Sequence, residues 1–187
     1  MQLDPITGWC AGVQHCPSPN FNERPDGEIS LLVIHNISLP PGQFGTAKVQ
    51  PFFQNTLDCS EHPFFAEISH LRVSAHFFIE RDGLVTQFVS CLARAWHAGV
   101  SQFGGREGCN DFSLGIELEG TDDLPFTDAQ YRGLVNLTRQ LQRAWPAITV
   151  ERICGHSDIA PGRKTDPGQA FDWARYRAEL CAEGDGQ

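Results

Sequence analysis

The run Leu31-Leu32-Val33-Ile34 is apolar without alternation, and with its β-branched centre it predicts a buried central strand over Ser30 to Asn36. From Phe112 to Glu119 the pattern changes. Leu114, Ile116 and Leu118 alternate with Ser113, Gly115, Glu117 and Glu119, so a second strand carries Glu117 on the side away from its apolar set. Val73 to Glu80 and Leu84 to Val89 flank Arg81-Asp82-Gly83, a turn signal that predicts an antiparallel pair. A helical period sets in at Thr127, with Tyr131, Leu134, Val135, Leu141 and Trp145 on one side. Thr127 and Gln130 have capping-box spacing, and Pro146 stops the helix. Shorter helices are predicted over His62 to Leu71 and Phe171 to Cys181, and a brief strand over Ile148 to Ile153.

The remaining segments lack a period. Residues 1–29 are rich in Pro, Asn, Gly and Asp and read as an extended arm packed on the domain. Pro40-Pro41-Gly42 opens a long connection to about His62, and a loop of that length in a compact domain is more often functional than idle. The polar tail 183–187 reads as flexible. The order of elements predicts an α/β fold: a single domain over 30–182, with a mixed central β-sheet flanked by helices.

Composition narrows the class. The 187 residues suffice for one continuous core, and 41% hydrophobic with 20% charged residues is an ordinary globular balance. A formal charge of −9 argues against general nucleic-acid binding, so an anionic ligand must meet local arginines. There is no membrane-length apolar stretch and no secretory pattern at the N-terminus, which predicts a cytosolic protein. Seven cysteines without a CxxC pair fit reduced thiols in that compartment.

The chemistry concentrates at His35, which closes the first strand, and in the segment from Gly155-His156 to Asp166-Pro167-Gly168. Two imidazoles and a carboxylate form a three-ligand set that leaves zinc a fourth position for water, the arrangement of a metal-dependent hydrolase. Cys154, two residues before His156, is a minor alternative ligand. Such a site needs a base and a cation for a developing oxyanion; Glu117 fits the first role and Lys164 the second. Trp96 offers an apolar face to a sugar and Arg72 a fork to a carboxylate, while Arg106 and Arg163 are further cations. His76 reads as structural, and His97 as either a substrate contact or a loop stabiliser. His15, His62 and His70 have no argued role.

Five segments carry a resemblance: Val33-Ile34-His35-Asn36, Arg72 to Phe77, Ala95-Trp96-His97-Ala98-Gly99, Ser113 to Gly120, and Gly155-His156 through Gly168. Together they resemble the zinc-dependent N-acetylmuramoyl-L-alanine amidases, the family of phage T7-type lysozymes and peptidoglycan recognition proteins. Within it the chain is most similar to the cytosolic amidases of 1,6-anhydro-N-acetylmuramyl peptides. The resemblance implies that fold, Zn2+ held by His35, His156 and Asp166, and Glu117 with Lys164 as the catalytic pair. It implies Asn36, Arg72 and Trp96 as substrate-binding residues, to which Arg163 is added as a cation for an anionic stem peptide. The implied reaction is cleavage of the amide between the lactyl group of muramic acid and L-alanine. The implied setting is peptidoglycan recycling, with restraint of β-lactamase induction. The expected partner is a small muropeptide, with no nucleic acid or membrane, and the chain is read as a monomer. Two rival readings are a lytic amidase acting on intact murein and a muropeptide-binding module without catalysis.

Overall fold

The structure is a computed structural model that describes residues 1–182, so the expectation for the tail lies outside the described residues. Strands β1 (Gln14–His15), β2 (Leu31–Ile37), β3 (Phe77–Ile79), β4 (Val85–Gln87), β5 (Ser113–Glu119) and β6 (Ile153–Gly155) form one mixed sheet in the order β6-β2-β5-β3-β4-β1. The pairs β6–β2, β2–β5, β5–β3 and β4–β1 are parallel, and only β3–β4 is antiparallel.

Both faces of this sheet are covered, as parallel strands require. Leu32 and Ile34 of β2, with Leu114, Ile116 and Leu118 of β5, join one core cluster. Over them pack helices α3 (Asp128–Ala144) and α5 (Trp173–Cys181), through Leu134, Leu137, Leu141 and Tyr176. The start of α3 is the predicted one: Thr127 accepts the Gln130 amide at 3.1 Å, and Gln130 accepts the Thr127 amide at 3.0 Å. On the opposite face there are two separate apolar clusters. Leu31, Val33, Ala98, Phe112 and Cys154 form one, and Phe52, Phe53, Phe65, Phe78 and Phe88 form the other. The gap between them holds the polar ends of β2 and β5.

Several elements depart from the sequence reading. The connection from Pro40 to His62 is interrupted by α1 (Val49–Phe53), whose Val49, Phe52 and Phe53 are spaced for one helical face and are buried. Helix α2 is shorter than predicted, Pro63–Ile68, and His62 caps it by accepting the Phe64 amide at 3.1 Å. The predicted strand from Val73 begins only at Phe77, because the His76 side chain takes a place in the ladder: its Nδ1 accepts the Gly115 amide at 3.0 Å. The predicted strand over Ile148 to Ile153 is instead a 3-10 turn, Val150–Arg152, running into β6. Among the described residues no helix is long and apolar enough to cross a membrane.

The N-terminal arm does more than lie on the surface. It supplies β1 and inserts the buried Arg24 beneath β5. Arg24 donates to the carbonyls of Cys91, Asn110, Asp111 and Ser113, and its Nη2 lies 3.1 Å from His76 Nε2. Burial, with the Arg24 charge beside it, holds the His76 pKa down at about 3. In the unfolded chain an imidazole titrates near 6.5, so between those values the unfolded state binds the extra proton. Stability therefore falls as pH is lowered through this window, whereas above it His76 is neutral in both states. His76→Asn keeps an acceptor for the Gly115 amide but loses the titration. We expect it to reduce the slope of unfolding free energy against pH by about 1.4 kcal/mol per pH unit between about pH 4 and 6. Equal slopes in urea titrations of the two proteins would remove His76 from this role.

Candidate active site

The register of the sheet assembles the site. Residues Leu31, Val33 and His35 of β2 lie directly beside Ser113, Gly115 and Glu117 of β5, so all six share one face. Gly155 of β6 pairs with Ile34, and one residue further His156 opens the four-residue helix α4 (His156–Ile159) beside His35. The loop after α4 turns back so that the Ser157 amide donates to the Asp166 carbonyl at 2.9 Å. Gly168 lets this loop close on the end of β5: it has φ +83°, and a Cβ there would come within 2.1 Å of Asp122 Cα. All of this occurs at the carboxyl ends of parallel strands, where open α/β sheets bind ligands.

Three donor atoms converge as a result. His35 Nδ1 is 3.0 Å from His156 Nδ1 and 2.9 Å from Asp166 Oδ2, and the latter two are 3.1 Å apart. A tetrahedral metal with ligands at about 2.0–2.1 Å needs such atoms about 3.3 Å apart. The chemistry of the set also fits a cation. His156 Nε2 faces the Ala98 carbonyl at 3.0 Å, and a carbonyl only accepts, so the proton is on Nε2 and Nδ1 points a lone pair into the triangle. Burial keeps His35 neutral, with a pKa of about 4 against the opposing pull of Asp166. Burial acts to raise the Asp166 carboxyl, but its two imidazole neighbours outweigh that and hold it below the ordinary aspartate range. With a separation of the donors by a few tenths of an ångström, on the order of what that geometry asks, these residues can hold a metal ion.

The triangle opens onto a cleft of about 690 Å3 that Glu117 and Lys164 also line. Glu117 Oε2 is sealed from solvent and has no hydrogen-bond partner among the described residues. Burial, and then the Asp166 charge, push its pKa well above 4.5, while Lys164 acts in the opposite direction. Asn36 and Trp96 line the cleft as well; Asn36 is held by Asp122 at 2.7 Å and the Trp96 indole by Asn22 at 2.6 Å.

The cations are placed differently. Arg163 reaches the cleft, but its guanidinium is spent on the carbonyls of Ala98 and Val100 at 2.7 and 2.6 Å. Arg72 does not line the cleft: it folds back on the carbonyls of Ser69 and Leu71. Arg106 pairs with Glu28 and stacks over Phe112, outside the cleft. Cys154 shares the face of His156, yet its thiol faces the Leu32 carbonyl at 3.8 Å and lies outside the triangle. Sequence reasoning missed Asp122 and Asp123 on the cleft wall, although the polar Gly120-Thr121-Asp122-Asp123 run directly after a site strand was a signal.

A metal-binding triangle with an open side and an unpartnered carboxylate in the same cleft defines a metal-dependent hydrolase. Residues 25–169 match the family described as N-acetylmuramoyl-L-alanine amidase. The chain is 58% identical over 177 residues to the 1,6-anhydro-N-acetylmuramyl-L-alanine amidase AmpD of Escherichia coli strain K12, covering 94% of this chain and 96% of that protein. It superposes on a crystal structure of an Se-Met AmpD derivative with a TM-score of 0.93 and 56% identity, over 96% of this chain and 99% of that one. A more distant match is the E. coli amidase AmiD in complex with the substrate anhydro-N-acetylmuramic acid-L-Ala-D-gamma-Glu-L-Lys. Its TM-score is 0.60 at 28% identity, covering 81% of this chain and 57% of that one. The chain belongs to the N-acetylmuramoyl-L-alanine amidase family and is an amide hydrolase.

Metal analysis tests the triangle directly. Purified protein should carry a single metal ion per chain, and His35→Ala or Asp166→Ala should lose nearly all of it while still folding. Full metal content in either variant would place the ion elsewhere.

Proposed function

We propose that this protein is a zinc amidase of peptidoglycan recycling. It cleaves the bond between the lactyl carbonyl of 1,6-anhydro-N-acetylmuramic acid and the nitrogen of L-alanine in a muropeptide. The observation that carries this reading is that the His35, His156 and Asp166 triangle shares one cleft with the sealed Glu117 oxygen. The relative at 58% identity, named for that substrate, supports the choice of amide. On the same resemblance the enzyme works in the cytoplasm as a monomer, and its activity restrains β-lactamase induction.

Zinc held by His35, His156 and Asp166 supplies Lewis acidity, which acidifies water and polarises a carbonyl. The chain's own residues supply the rest. Glu117 accepts a proton from the attacking water as its oxygen bonds to the lactyl carbonyl carbon. The raised pKa makes Glu117 a stronger base than an exposed carboxylate and a competent donor afterwards. When the C–N bond breaks, Glu117 returns the proton to the departing alanine nitrogen. Lys164, exposed on the cleft wall, provides positive charge for the developing oxyanion. Trp96 presents a ring to the sugar, and Asn36, fixed by Asp122, presents an amide to the substrate backbone.

Glu117→Gln should retain zinc and lower kcat by about 10²- to 10⁴-fold; turnover at the wild-type rate would exclude Glu117 as the base. The zinc-loaded protein should release peptide from anhydromuramyl tripeptide much faster than from intact sacculi, followed by mass spectrometry. Release mainly from sacculi would make it a lytic enzyme, and binding without release a recognition module.

A further inference from the structure

Both imidazoles of the triangle are backed by one dipeptide. His35 Nε2 lies 2.9 Å from His97 Nδ1, and His156 Nε2 donates to the carbonyl of the next residue, Ala98, at 3.0 Å. The dipeptide is in turn fixed by a single side-chain atom. Asn110 Oδ1 accepts the His97 amide at 3.1 Å and the Ala98 amide at 2.8 Å, and Asn110 is buried. Asn110 is itself anchored, because its carbonyl accepts from Arg24 at 3.1 Å.

The directions of these bonds follow from the triangle outward. A ligand nitrogen presents a lone pair, so His35 with Nδ1 in the triangle carries its proton on Nε2. That proton points at His97 Nδ1, which must then be unprotonated. His97 carries its own proton on Nε2, where Ser113 Oγ lies 3.2 Å away. The ring can occupy this place only because β5 has a glycine beneath it: a Cβ at Gly115 would come within 2.5 Å of His97 Cγ. One strand position therefore gives the base, Glu117, and another, two residues earlier, makes room for the partner of a ligand.

We propose that the His97–Ala98 dipeptide, pinned by Asn110, is the outer brace that sets the tautomer and the aim of both metal-binding imidazoles. His97 and Asn110 are then positioning residues that act through His35 and His156. The inference rests on the ligand assignment of the proposed function, and outer partners of this kind contribute about 10- to 100-fold to metal affinity.

The test measures zinc affinity by chelator competition for the wild type, His97→Ala, His97→Asn and Asn110→Ala. Long-range 1H–15N spectra of the zinc-loaded wild type report the imidazole tautomers. His97→Ala and Asn110→Ala should weaken zinc binding about 10- to 100-fold. His97→Asn, whose Oδ1 replaces Nδ1 as the acceptor for His35, should recover affinity to within about threefold of the wild type. In the loaded wild type, His35 and His97 should both be neutral with the proton on Nε2. The brace is overturned if His97→Ala and Asn110→Ala fold and bind zinc as the wild type does, or if His97 carries its proton on Nδ1. Should the alanine variants fail to fold, His97→Asn and the wild-type tautomers still decide. A wild type that takes up no zinc overturns the ligand assignment and the brace with it, a result distinct from zinc binding that is indifferent to His97.

Discussion

The parallel, in-register pairing of Leu31–Ile37 with Ser113–Glu119 is the constraint on which the rest depends. Because strand side chains alternate with a period of two, this register decides every face at once. Leu32, Ile34, Leu114, Ile116 and Leu118 enter the core under α3 and α5, while His35 and Glu117 face the site. A slip of one residue would bury His35 and Glu117 among Tyr131, Leu134 and Tyr176. The register is secured from both sides, since Leu32 and Ile34 must find one apolar cluster while Leu31 and Val33 find another.

That burial also sets the electrostatics. A dry sheet face costs a charged group its hydration, which keeps His35 neutral and raises the Glu117 pKa. The same penalty would destabilise Asp166 as an anion were it not placed between two imidazoles. The groups therefore have opposite requirements that one environment meets: a neutral His35 imidazole, an ionised Asp166 carboxylate beside it, and a Glu117 carboxyl that holds its proton more tightly than an exposed one. Arg24 extends this logic inward. As a buried cation it is tolerated because its donors find four carbonyls, and those carbonyls belong to the segments that flank β5 and carry Asn110.

Local signals were legible wherever one segment sufficed. The capping box at Thr127, the amphipathic period of α3, the hairpin turn at Asp82-Gly83 and the apolar run ending at His35 are each written within a few residues. Elements whose form depends on a distant partner were not. Val73 to His76 reads as strand, but the His76 ring replaces part of the ladder, and Val150–Arg152 winds into a turn. The antiparallel pair around Asp82-Gly83 was legible, but the parallel pairings of the sheet were outside reach, since they depend on which faces the helices cover.

The site divides in the same way. The sequence by itself determined the family and the inventory of candidate residues: two histidines, an aspartate, a glutamate on the polar side of its strand and a lysine near the aspartate. Those signals are local because the capacity of a side chain to bind a metal or accept a proton is fixed by its own chemistry. Only the tertiary structure decided the geometry. It closed the donor triangle across more than a hundred residues of chain, turned Arg72 away from the cleft, and spent Arg163 on two carbonyls. It also placed His97, Ala98 and Asn110 behind the imidazoles of His35 and His156. The reason is physical: an outer hydrogen bond to a backbone carbonyl or amide has no residue-type signature, and it exists only once packing has fixed where the backbone runs.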